Sequence, residues 1–284
     1  MAIDELGTVP AVWGVMNYLS EESTVLRRFT APGASINTGL YDSYAVQVYD
    51  ARAVHRPFTL ERNGFELVHR PSRVRDFTDR DELDRVYDAE IEELVRLRLG
   101  ADRVALLGAT LRRAADPAGH DSQPAAGLVH IDFSPEGAAA HAAETYARHF
   151  PDGPGYSRAV STSCWRVFSP PPQDWPLAVC DFRSLSDDEG RPNTLYFVDA
   201  IPPDPFGPIT GTPRTLSGSE FHYRASHRWY FYPDMTRDEL LLFVLHDSDH
   251  SRPWRVMHSA FLDAEAQAVT PRHSVEYRTV AYFR

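Results

Sequence analysis

Short β-type runs recur along this chain from one end to the other, and they limit its fold more than any other feature. They cover residues 12–19, 44–49, 104–107, 128–133, 165–168, 177–182, 195–199, 229–232, 241–246, 256–261 and 275–283. They are rich in Val, Tyr, Phe and Trp and are bounded by Pro, Gly, Asp and Ser. Many short strands with few helices predict a mainly β protein with flanking helices, in a closed or double-sheet architecture such as a jelly roll. Two helices are predicted. Residues 82–99 set Leu83, Val86, Tyr87, Ile91, Leu94 and Val95 on one face, with Asp79 and Glu82 as a capping box and Gly100 as the stop. Residues 135–149 follow Ser134 as N-cap, with Pro135 in the first turn, where its missing N–H costs nothing. The Pro-rich stretches 170–172 and 202–213 read as loops, the longer one suited to a lid.

No internal repeat or linker divides the 284 residues, so residues 1–284 are expected to form a single domain, and a hydrophobic fraction of 43% suits a sizeable core. A net charge of −11 disfavours nucleic acid and anionic membrane surfaces as partners. No apolar run approaches the ~20 residues that span a bilayer. The first ten residues carry Asp4 and Glu5 but no Lys or Arg, unlike a secretory leader. With Cys164 and Cys180 read as free thiols, a cytoplasmic location is expected.

The chemistry centres on His130-Ile131-Asp132. In a strand, residues i and i+2 share a face, so this triplet can aim an imidazole and a carboxylate at one point. Two histidines and one carboxylate on one face of iron(II) leave its other positions open. Alone, the triplet is better explained as a surface ion pair. A second element strengthens it: His258 is followed fourteen residues later by Arg272-His273-Ser274. That spacing suits two neighbouring antiparallel strands, the second presenting a guanidinium and a hydroxyl that receive a carboxylate. His246-Asp247-Ser248-Asp249-His250 is dense in ligand types but sits among turn formers and is read as a solvated loop. His120-Asp121 falls in an Ala/Gly/Pro-rich loop, and His69, His222 and His227 are read as structural. Trp165 and Arg166 lie between the two halves of the proposed triad. They are expected to line a substrate pocket, or else to fill the core with Arg166 paired to an acid such as Asp181.

Short motifs in order along the chain carry a family resemblance. They are Asn17-Tyr18-Leu19, Asp50-Ala51-Arg52, Gly64-Phe65-Glu66-Leu67-Val68, His130-Ile131-Asp132, Trp165-Arg166, Pro176-Leu177-Ala178-Val179-Cys180-Asp181, His227-Arg228-Trp229-Tyr230, His258-Ser259-Ala260-Phe261 and Arg272-His273-Ser274-Val275-Glu276-Tyr277-Arg278. With these the chain resembles the gibberellin-desaturase-like, or AsaB-type, hydroxylase/desaturase family, which includes the bacterial cephalosporin 7-hydroxylase component. It departs from the expected pattern at Val167-Phe168, where relatives carry a proline. The resemblance implies a cupin-like double-stranded β-helix with a large insertion between Asp132 and His258. It implies Fe(II) held by His130, Asp132 and His258. It also implies 2-oxoglutarate as cosubstrate, with Arg272 and Ser274 receiving its distal carboxylate and Arg278 as the rival anchor. The expected activity is hydroxylation or desaturation of a small secondary metabolite with O2. Halogenation is disfavoured, since Asp132 stands where related halogenases have Gly or Ala. A zinc hydrolase on the same His/Asp/His set is the alternative, disfavoured by Arg272 and Ser274; a non-catalytic binding scaffold is another.

Overall fold

A strand that is apolar at both parities must be covered on both faces. Glu239–Asp247 is such a strand: Leu241, Phe243 and Leu245 enter one buried cluster, while Leu240, Leu242 and Val244 enter another. It belongs to one of two sheets in the computed structural model, which describes residues 8–113, 122–123, 126–263, 266–267 and 269–284. His120 and Asp121 lie outside the described residues.

The six-stranded sheet runs Phe65–His69, Glu239–Asp247, Arg158–Val167, His273–Phe283, Arg103–Arg113, Ser122–Gln123. The eleven-stranded sheet has Ala11–Leu19 and Tyr41–Asp50 toward one edge and Arg191–Phe197, Arg27–Ala31 and Ala34–Asn37 toward the other. Its middle runs Trp229–Phe231, Leu177–Cys180, His258–Ala260, His130–Ile131, Thr215–Glu220. Phe65, Trp165 and Phe243 of the smaller sheet share a cluster with Leu177, Val179 and Tyr230 of the larger, so the two sheets face each other across a common core. The mainly β, jelly-roll expectation holds. The segment between Asp132 and His258 supplies strands to both sheets.

Helices cover the ends and the outer face. Asp88–Leu99 packs Ile91, Leu94 and Val95 against the outside of the smaller sheet and ends at Gly100, whose φ of +66° closes the helix in a left-handed turn. Asp79 caps the start of this helical stretch by accepting from the Glu82 amide at 3.1 Å, and one π-helical turn, Leu83–Tyr87, interrupts it. Pro135–His149 begins as expected, with Ser134 Oγ accepting from the Gly137 amide at 3.1 Å. Its Ala142 and Tyr146 pack with Val280 and Tyr282. No described helix is long and apolar enough to cross a membrane.

Two expectations need correction. His258 and Arg272 are not on neighbouring strands: His258–Ala260 pairs with Leu177–Cys180 and His130–Ile131 in the larger sheet, while Arg272 leads into His273–Phe283 of the smaller one. The fourteen residues cross between sheets instead of turning within one. The stretch 246–250 is also not uniformly solvated. His246 and Asp247 are buried, and the Asp247 carboxylate is held by Arg158, although Ser248 and His250 are exposed. Thr215–Glu220 and Arg27–Ala31 escaped prediction because both are largely polar or charged, and their pairing comes from Arg191–Phe197, which lies between them.

Candidate active site

The facing sheets set the site. His130–Ile131 is a short strand pinned on both sides, by Thr215–Glu220 and by His258–Ala260, with His130 directly opposite His258. Ile131 points outward into a cluster with Met16 and Val48, so His130 and Asp132 turn inward. The chain then enters the helix capped by Ser134. A short strand between two fixed neighbours, followed at once by a capped helix, leaves Asp132 little freedom.

The ligand atoms of His130, Asp132 and His258 lie within 4.8 Å of one another. Each histidine directs Nδ1 at a backbone carbonyl oxygen, His130 to Leu128 at 2.7 Å and His258 to Val256 at 3.2 Å. That fixes both rings with Nε2 toward the centre, each 3.8 Å from an Asp132 oxygen. Burial, with His258 next to it, pushes His130 down to about 4 and keeps it neutral near pH 7, the form that binds metal. Asp132 Oδ2 is buried without a hydrogen-bond partner among the described residues. A buried carboxylate oxygen left bare is costly, and a cation between the three groups would satisfy it. The donor set suits iron(II), and equally tolerates zinc.

A cavity beside this triad is lined by His130, His258, Trp165, Phe243, Arg272 and Glu276, among others. The Arg272 backbone amide donates to Asp174 Oδ1 at 2.6 Å, and its guanidinium donates to the Trp175 carbonyl oxygen. Trp175 turns that carbonyl with a φ of +45°, uncommon for a residue with a side chain. The guanidinium carbon stands 5.4 Å from the centre of the Trp165 ring. Burial, with Arg112 nearby, pushes Arg272 down to about 9, as expected of a buried cation short of anions. Its Nε and the Ser274 hydroxyl are both buried without partners among the described residues. The Arg272 guanidinium opens on the same cavity as the histidines, and its orphaned N–H, with the orphaned hydroxyl two residues along the chain, suits one end of a small dicarboxylate.

Trp165 therefore faces the cavity, but Arg166 does not. In Arg158–Val167 adjacent side chains point to opposite faces. The Arg166 guanidinium lies on the outer side, 1% exposed, donating to Tyr87 Oη at 3.1 Å, to the Arg70 carbonyl oxygen at 2.8 Å and to the Arg237 carbonyl oxygen. It is not paired to Asp181, which binds Arg183 and Asn63. Sequence reasoning passed over Glu276, which lines the cavity, and the strand that carries it held the signal. Ser274, Glu276 and Arg278 alternate along His273–Phe283 and turn inward together. Burial pulls Glu276 up, but Arg278 and Arg112 outweigh it and hold the carboxyl below its usual range. The side chain of His227, read as structural, is buried and bonds Glu189 at 2.6 Å and Tyr18 at 3.2 Å, away from this cavity.

A family model described as "Oxidoreductase/YMDC permease-like domain" matches residues 16–282. The chain is 29% identical to the alpha-ketoglutarate-dependent dioxygenase phiK of a fungal species, over 85% of each protein. It is 28% identical to the hydroxylase/desaturase efuI of Hormonema carpetanum, over 86% of this chain and 85% of that one. Among solved structures, the iron and alpha-ketoglutarate-dependent endoperoxidase NvfI superposes with a TM-score of 0.77 at 24% identity, covering 96% of this chain and 98% of that one, which shows a shared fold.

Proposed function

The chain belongs to the Oxidoreductase/YMDC permease-like domain family, and on that premise we propose that it is an Fe(II)- and 2-oxoglutarate-dependent dioxygenase that oxidises a C–H bond of a small metabolite. One observation carries this reading. Asp132 Oδ2, Arg272 Nε and Ser274 Oγ are all buried and all lack a hydrogen-bond partner among the described residues, and Arg272 shares a cavity with His130 and His258. One divalent metal and one short dicarboxylate would satisfy all three. His130, Asp132 and His258 would hold the iron, leaving its remaining positions open. Arg272 and Ser274 would receive the distal carboxylate of 2-oxoglutarate, the guanidinium by charge-assisted bonds. When bound, the iron and 2-oxoglutarate supply the oxidant that breaks the substrate C–H bond. Trp165, Phe243 and Leu177 give the cavity its apolar walls.

The relatives' names point to hydroxylation, desaturation and related oxidations, and the pose of the substrate carbon decides among them. Membership of the gibberellin-desaturase-like, AsaB-type branch belongs to the same proposal, supported by the ordered motifs from Asn17 to Arg278. So does one catalytic unit spanning the chain, supported by strands from both halves of the sequence in both sheets. A cytoplasmic setting is supported by Cys164 and Cys180, buried free thiols that burial pushes up to about 12.

Turnover of 2-oxoglutarate to succinate tests the reading. Succinate should form with Fe(II) and oxygen together and stop when either is withheld. Hydrolytic turnover by the zinc-loaded protein, with no succinate from the iron-loaded one, would overturn it.

A further inference from the structure

Resting on that reading of the metal centre, we infer that Arg278 is a positioning residue for Asp132: it occupies one carboxylate oxygen so that only the other is offered to the metal. Arg278 Nη2 lies 3.0 Å from Asp132 Oδ1, while Oδ2 has no hydrogen-bond partner among the described residues, only His258 Nε2 at 3.8 Å. The two residues come from opposite sheets. Asp132 follows His130–Ile131 in the larger sheet, and Arg278 stands in His273–Phe283 of the smaller one, so this ion pair ties the sheets together at the triad.

Arg278 is itself held in place. Its Nε donates to Glu276 Oε1 at 3.0 Å, and its Nη2 reaches Glu276 Oε2 at 3.3 Å. Ser163 Oγ donates to the same Glu276 Oε1 at 3.1 Å, and Arg112 stands 3.6 Å from Oε2. The backbone also aims the side chain. Tyr277 pairs with Ala109 and Thr279 with Leu106, so Leu107 and Gly108 together oppose Arg278, and Gly108 takes a φ of +90°. A bulge of this kind re-aims the side chain beside it. The result is a chain from Ser163 through Glu276 and Arg278 to one oxygen of Asp132.

Both nitrogens on this side of the Arg278 guanidinium are thus already committed to carboxylates. Arg272, by contrast, has an Nε without a hydrogen-bond partner among the described residues, so the two arginines have different tasks: Arg272 faces an anion that enters, and Arg278 fixes an anion that belongs to the protein. Fixing one oxygen favours coordination through the other alone and leaves metal positions free for exchangeable ligands. A partner of a metal ligand typically accounts for about 10–100-fold in metal affinity.

The test uses Co2+ as an air-stable substitute for iron with visible bands that report its coordination. Arg278→Gln should weaken Co2+ binding by about 10–100-fold and shift those bands. Arg278→Lys should fall between, since a point charge cannot keep both the Glu276 and the Asp132 contacts. Co2+ affinity and bands unchanged in Arg278→Gln overturn the inference, as does a loss confined to 2-oxoglutarate affinity. If Arg278→Gln does not fold, Arg278→Lys carries the comparison, and a wild-type Co2+ site there overturns the inference. Asp132→Ala in the same titration separates the two levels. Retained Co2+ binding in Asp132→Ala defeats the metal-centre reading itself. Loss there with no effect of Arg278→Gln defeats only the role of Arg278.

Discussion

Arg272, just before the strand His273–Phe283, and Arg278, at the middle of that strand, stand six residues apart, and their surroundings separate them. The Arg272 guanidinium donates to a carbonyl oxygen, faces an aromatic ring and keeps a buried Nε without a hydrogen-bond partner among the described residues. Arg278 is bracketed by Asp132 and Glu276, and although burial opposes its charge, those two carboxylates raise its affinity for the proton. A buried cation without an anion is unfavourable, so Arg272 gains most when a carboxylate arrives. Arg272→Ala should therefore weaken 2-oxoglutarate binding by about 2–5 kcal/mol while changing metal affinity far less. Calorimetric titration of the metal-loaded protein measures both. Intact 2-oxoglutarate affinity in this variant would show that the anchor lies elsewhere.

Adjacent residues of a strand can belong to different parts of the molecule, and Arg158–Val167 is the clearest case here. Ser163, Trp165 and Val167 face the other sheet; Cys164 and Arg166 face the helix Asp88–Leu99 and the loops beside it. On that outer side Arg166 stands over the Phe77 and Tyr87 rings, at 5.9 Å and 5.6 Å, and ties the Arg70 and Arg237 carbonyl oxygens to the sheet. Arg166→Ala removes these bonds and strands buried acceptors, at a cost of about 2–4 kcal/mol in folding stability. The expected result is a lower denaturant midpoint, with succinate formation per folded molecule unchanged at a temperature where the variant stays folded. A variant of wild-type stability that had lost substrate turnover alone would return Arg166 to the pocket.

Across the whole molecule, the interior between the sheets carries charge at several levels, and His246 gives one of them a pH dependence. A register shift between Val244 and His246 sets this imidazole opposite Ser161, where it is buried near Trp254, with its Nε2 3.4 Å from that of His250. Burial, with His250 adding to it, pushes His246 down to about 4 from the 6.5 of an unperturbed histidine. Below 6.5 the unfolded chain takes up this proton more readily than the folded one. The stability that neutral His246 contributes is thus complete above that pH and is lost as the pH falls toward about 4. Melting temperatures should drop between pH 7 and 4.5, and less steeply in His246→Gln than in the parent. Equal slopes would assign the acid sensitivity to other groups.

Periodicity and local chemistry made much of this protein legible. The β character follows from the spacing of Val, Tyr, Phe and Trp, and the starts at Asp79 and Ser134 follow from capping chemistry; all of these act within a few residues. Likewise, placing His130 and Asp132 on one face needs only the period of a strand, and that same period, carried further, turns Arg166 away from Trp165 and brings Glu276 and Arg278 inward with Ser274. Which strands meet is another matter. His130 lies opposite His258 because two short strands pair across 128 positions of sequence, and Arg272 reaches the same cavity from the other sheet. His246 is buried because a bulge and Trp254 cover it, although its neighbours in sequence favour solvent. Contacts of that kind depend on how two twisted sheets pack face to face, and no local pattern of residue types encodes that distance or that angle. The residue types and their faces were set by the sequence alone; the meeting of His130, His258 and Arg278 around Asp132, with Arg272 on the adjoining cavity, was decided by the closure of the two sheets.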